Sequence, residues 1–88
     1  MKIEFLEKFQ KDLVGIQDKK VKQALLRTIV KLESAENLSQ VSNLKKIKGH
    51  PSAFRVRLGE YRLGFYYENE VIELARFVHR KEIYKFFP

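Results

Sequence analysis

The stretch FRVRLGEYRLGFYYENEVIELARFVH, residues 54–79, decides the fold. Its period is two. Phe54, Val56 and Leu58 alternate with Arg55 and Arg57, and Gly59-Glu60 supplies a tight turn. Tyr61, Leu63, Phe65 and Tyr67 then alternate with Arg62, Gly64 and Tyr66. Glu68-Asn69-Glu70 makes a second turn, after which Ile72, Leu74 and Val78 alternate with Glu73, Ala75, Phe77 and His79. Such a pattern predicts a three-stranded antiparallel meander with one apolar and one polar face.

Toward the N-terminus the period changes. Lys2 to Phe5 reads as a short strand with Ile3 and Phe5 on one side. From Leu6, the residues Leu6, Phe9, Leu13 and Ile16 recur at three- and four-residue steps, the mark of an amphipathic helix, with Gly15 as its stop. Asp18 offers an N-cap for a second helix running to about Ser34, with Val21, Leu25, Ile29 and Leu32 as its core stripe. Leu26 and Val30 lie off that stripe. They are expected to broaden the buried face; the alternative is an exposed apolar groove filled by a partner helix. Residues 35–43 read as a loop, and LKKIKGHPSAF follows from Leu44 with Gly49 and Pro51 as breakers. RKEIYKFFP reads as a tail with one helical turn. The expectation is an α+β fold: a short N-terminal strand and a two-helix hairpin packed on a mainly antiparallel sheet, completed by the meander, in a single domain 1–88. Helices cover one sheet face and leave the other free.

Composition narrows the partners. The 88 residues hold no Cys, which excludes disulfides and thiolate metal sites. No apolar run spans a membrane, and MKIEFLEKFQKDL lacks the apolar centre of a signal peptide, so a cytoplasmic, membrane-free protein is expected. The net charge is +7, from 18 Lys and Arg against 11 Asp and Glu. Residues 1–44 carry 8 basic and 6 acidic side chains, whereas residues 45–88 carry 10 and 5. A polyanionic partner for the second half follows.

Strand periodicity puts Arg55, Arg57 and Arg62 on the polar sheet face, where three guanidiniums suit a phosphate. On a generic meander the same residues are simply a solvated face. Gly64, beside them, either leaves room for a base or ribose or marks a bulge. At the strand end, His79 can exchange a proton near neutral pH, Arg80 can stabilise a negative phosphorane, and Tyr84 can stack on a base. His50 sits in a Gly-His-Pro loop and is given no role. Two His without paired carboxylates give no metal-site spacing, and no cofactor motif is present.

From LKKIKGHPSAFRVRLGEYRLGFYYENEVIELARFVHRKEIY, residues 44–84, the chain resembles the RelE family of toxins from bacterial and archaeal toxin–antitoxin pairs. The family's pattern is a Leu-Lys-x-Leu-x-Gly-like segment, a basic-x-basic strand, a Tyr-Arg-Leu/Val strand and a final His/Lys-Arg with a Tyr beyond. The resemblance implies a RelE-like microbial-ribonuclease fold. It also implies cleavage of messenger RNA in the ribosomal A site by attack of the ribose 2′-hydroxyl, without metal or cofactor. It assigns Arg62 to phosphate gripping, Arg80 to the transition state or leaving oxygen, and Tyr84 to orienting the nucleotide. Arg55 and Arg57 become strand cations, with Lys45, Lys46, Lys48 and Lys81 as further RNA contacts. Where some members carry Lys on the basic strand, this chain has Arg, which cannot usefully act as a base. His79, with an unperturbed pKa of about 6.5, is then the expected general base. A cognate antitoxin, acidic or with an acidic segment, is implied; direct DNA binding by the toxin alone is not. Two other readings remain open: a ParE-like toxin that poisons gyrase, and a non-catalytic basic module binding RNA or a peptide.

Overall fold

A computed structural model describes all residues from Met1 to Pro88. The element order is β1 (Lys2–Phe5), α1 (Glu7–Val14), α2 (Lys19–Ser34), a short 3-10 turn at Leu38–Gln40, β2 (Leu44–Lys46), β3 (Ala53–Leu58), β4 (Tyr61–Glu68), β5 (Val71–His79) and α3 (Ile83–Phe86). The five strands form one sheet in the order β1-β5-β4-β3-β2. β1 runs parallel to β5, and every other pair is antiparallel. The expected α+β architecture is the one found. Asp18 caps α2 as the sequence indicates, accepting from the Lys20 and Val21 backbone N–H groups at 2.8 and 3.4 Å.

The meander's two turns are where the sequence puts them. Gly59, at φ +58°, lets β3 fold onto β4, and Asn69 and Glu70 both take positive φ between β4 and β5. The inward residues Val56, Leu63, Phe65, Ile72 and Leu74 meet Phe9, Leu25 and Leu32 of the helices in the main core. Full burial of side chains this size is worth about 1.5–3 kcal/mol each.

Four expectations change. First, the segment between the loop and the meander, to which the sequence assigns no strand, contains one: β2 pairs with β3 and extends the sheet by one strand. Its three residues include two Lys, so no apolar alternation announces it. Secondly, Leu26 and Val30 do not broaden the buried face. They are 62% and 53% exposed, on the side of α2 away from the sheet. Thirdly, β5 carries a bulge. Gly64 faces Arg76 while Phe65 faces Leu74, so Ala75 is the extra residue. Beyond it the alternation reverses: Phe77 enters the main core opposite Leu63, His79 pairs with Tyr61, and Val78 turns to the other face opposite Arg62. Fourthly, that other face is not free. Ile83 and Phe87 of the tail fold over it and join Ile47, Ala53 and Ala75 in a second, smaller core. The space over Gly64 is therefore filled: a Cβ there would lie 2.7 Å from Cδ2 of Phe87. Gly64 seats an aromatic ring of the protein itself rather than leaving room for a base.

Candidate anion-binding site

The part of the second face that the tail leaves open is cationic. Arg55 on β3 lies between Lys45 of β2 and Gly64 of β4, and Arg57 stands directly opposite Arg62. Arg55 and Arg62 are partly anchored. Arg55 donates from Nη1 to the Asn43 carbonyl at 3.1 Å, and its Nε is buried without a partner. Arg62 donates from Nη1 to the carbonyls of Gly59 and Tyr61 at 2.8 and 2.9 Å, so the β3–β4 turn holds it.

Burial lowers the pKa of Arg62, and Arg55, Arg57 and Arg80 lower it further by like-charge repulsion, while Tyr84 acts in the opposite sense. Arg55, Arg57, Arg62, Arg80 and Tyr84 thus share one electrostatic neighbourhood. Burial and repulsion that disfavour a cation are what a bound anion relieves. Tyr84, 65% exposed, also lines a cavity of about 540 Å³ with Lys45, Lys46, Ile47 and Lys48. Lys45 shares the face of Arg55; Lys46, opposite Phe54, has its Cα in the other phase. Lys81 lies exposed in the turn after β5.

His79 stands apart from this group. The bulge puts it in phase with Tyr61, against whose ring it packs edge-on at 6.0 Å, and not with Arg62. Its Nδ1 accepts the Lys81 N–H at 3.2 Å, which leaves the proton of the neutral ring on Nε2, 3.6 Å from Oε2 of Glu60. The same Glu60 oxygen accepts from Nε of Arg80 at 2.9 Å, and the Glu60 carbonyl accepts the Arg80 N–H at 2.8 Å. Glu60, read from sequence only as a turn residue, is the link between His79 and Arg80. Charge alone could have flagged it, as an acid in the turn between two basic strands. Arg76 also passed unnoticed; it forms a two-point ion pair with Asp12. No group of three or more His, Asp or Glu side chains is placed to hold a metal ion.

The fold and this face define a small basic α+β protein with a cationic sheet surface partly covered by a C-terminal tail. The protein-family model described as the ParE toxin of the type II toxin–antitoxin system parDE matches residues 3–84. Toxin RelE3 of Methanocaldococcus jannaschii is 33% identical over 100% of both chains. In the crystal structure of the RelB–RelE antitoxin–toxin complex from Methanococcus jannaschii, the matching chain is 30% identical with a TM-score of 0.82, covering 97% of this chain and 99% of that one. The RelE–RelB complex from Pyrococcus horikoshii matches at 20% identity and TM-score 0.72, over 93% and 97%, and supports the fold. The chain belongs to the RelE/ParE family: it is a RelE-like toxin of a type II toxin–antitoxin system.

Proposed function

We propose that this toxin is an endoribonuclease that cuts messenger RNA, with the ribosomal A site as its place of action and the cytoplasm as its compartment. The observation that carries this reading is the pairing of Arg57 opposite Arg62 and Arg55 beside Lys45 on one sheet face, with Arg80 bonded to the adjoining β3–β4 turn and Tyr84 lining a cavity with Lys45. In this reading Arg62 grips the scissile phosphate, and Arg80 stabilises the charge that builds as the 2′-hydroxyl attacks. Tyr84 stacks on or orients a nucleotide, and Arg55, Arg57, Lys45, Lys46, Lys48 and Lys81 hold the flanking strand. The products are a 2′,3′-cyclic phosphate and a 5′-hydroxyl. The chemistry needs proton transfer and charge stabilisation, both of which side chains supply. In this reading His79, off the cationic face and in phase with Tyr61, exchanges the proton from the strand's end, beside the Glu60 carboxylate at 3.6 Å that also binds Arg80.

Primer extension on ribosome-bound message tests the reading. Purified protein should produce discrete cuts, Arg62→Ala should remove them, and His79→Ala should slow them by roughly 10²-fold or more. Cleavage near the wild-type rate in His79→Ala would take that residue out of the mechanism. The match to a family described as ParE toxins favours a second reading, inhibition of gyrase. Induction that stops replication first and leaves message intact would establish it in place of the nuclease. A cognate antitoxin completes the proposal, since the similar chains from M. jannaschii and P. horikoshii are found in antitoxin–toxin complexes.

A further inference from the structure

Tyr84 sits on a helix of four residues, α3, and is largely exposed. A single helical turn does not hold itself together. Its place comes from its anchors. Ile83 and Phe87 are buried to 0% and 2% exposure in the second core. Phe86 is half exposed but covers the guanidinium of Arg76, with Cζ 5.1 Å from the ring centroid. Arg76 is itself fixed by Asp12 of α1: Nε donates to Oδ2 at 2.8 Å and Nη2 to Oδ1 at 3.0 Å. Oδ2 also accepts the Phe77 N–H at 2.9 Å, two residues past the extra residue of the bulge, on the β5 edge that β1 no longer covers. One carboxylate thus ties α1, the bulge and the guanidinium beneath the tail. The pair is largely withdrawn from water, at 17% and 14% side-chain exposure, where such a geometry is stiff.

We propose that Asp12 and Arg76 are positioning residues for Tyr84, acting through Phe86 to hold α3 in place over the sheet. Asp12 belongs to α1, and Arg76 sits beneath the tail, across Gly64 from Arg55. The activity arm of the test rests on the RNA-cleaving reading; the structural arm does not.

The activity arm is a double-mutant cycle on ribosome-bound message. Phe86→Ala and Asp12→Asn should each lower kcat by roughly tenfold or more with KM within about twofold, as misplacement of an orienting group does. In a Tyr84→Ala background neither should cost anything further. Losses that simply add in that background would overturn the proposal. The structural arm is amide exchange. The Lys85, Phe86 and Phe87 N–H groups, bonded to the carbonyls of Glu82 and Ile83, should exchange about tenfold faster in both variants, a local opening of the tail. Leu63 and Phe65 in β4 should stay protected. Unchanged protection of the tail would equally sink the latch. If Asp12→Asn does not fold, Phe86→Ala, which removes only a half-exposed ring, decides both arms. If the wild-type protein leaves message uncut, the nuclease reading fails by itself, and the exchange result alone upholds or refutes the latch.

Discussion

Arg57 and Arg62 face each other across β3 and β4, which is an unfavourable arrangement for a folded protein and a favourable one for a phosphate. Replacing Arg57 by Gln should stabilise the unliganded toxin by about 0.5 kcal/mol at low salt, measured by urea denaturation, while weakening RNA binding. A variant that lost both stability and affinity would mean that Arg57 is held by contacts and not tolerated for function. Gly64 invites the opposite experiment. Its missing Cβ makes room for the Phe87 ring, so Gly64→Ala should cost about 1–3 kcal/mol through overpacking. A neutral Gly64→Ala in thermal melts would show that the ring moves aside freely. The sequence makes the gap at Gly64 visible but not its occupant, because Phe87 lies in a tail with no periodicity of its own. In the same way Arg62 and Arg80 are legible from strand phase and motif, whereas Glu60 stands out in the sequence only as an acid between two basic strands. Its importance comes from the turn that brings its carboxylate to Arg80.

At the level of elements, the helices and the meander were readable because their apolar residues keep strict periods of 3.6 and two. β2 was not, since an edge strand of three residues with two Lys carries no such pattern. The bulge in β5 was hidden for a different reason. ELARFVH alternates plausibly in either phase, and a partner of the shifted strand, the Asp12 carboxylate that accepts the Phe77 N–H, lies more than sixty residues away in the chain. Helix α2 shows what a clear period can leave undecided. Leu26 and Val30 stay exposed, and Leu26 joins Leu13, Leu25 and Ile29 beside Lys22 around a cavity of about 320 Å³. The surrounding sequence KKVKQALLRTIVK contains Lys and Arg but no acid. An apolar strip with a cationic border fits the acidic amphipathic helix of an antitoxin. Leu26→Glu should therefore weaken antitoxin binding at least tenfold in titration calorimetry, leave the melting temperature nearly unchanged and leave RNA cleavage intact. Full retention of antitoxin affinity would move the docking surface elsewhere.

Taken as a whole, the molecule carries a charge of +7, and the question is whether that charge acts as a diffuse field or as one face. The basic side chains of α2 divide: Arg27 and Lys31 line a cavity of about 260 Å³ together with Arg57 and Gly59, whereas Lys22 lies beside Leu13, Leu25 and Leu26. If RNA engages only the face of Lys45, Arg55, Arg57, Arg62 and Arg80, some four or five phosphates are neutralised, and the logarithm of affinity should fall with the logarithm of salt at a slope of about −3 for a single strand. Each contacting cation contributes about −0.7 to that slope. Arg55→Ala or Arg62→Ala should thus flatten it by about that amount, whereas Lys19→Ala and Lys22→Ala on α2 should leave it as it was. Filter binding of a non-cleavable 2′-deoxy oligonucleotide between roughly 50 and 200 mM salt separates the two cases, because cleavage cannot then distort the affinities. Equal flattening by the α2 substitutions would mean that the strand wraps the whole protein. The face would then be one stretch of a longer path, and Arg62 a contact among equals.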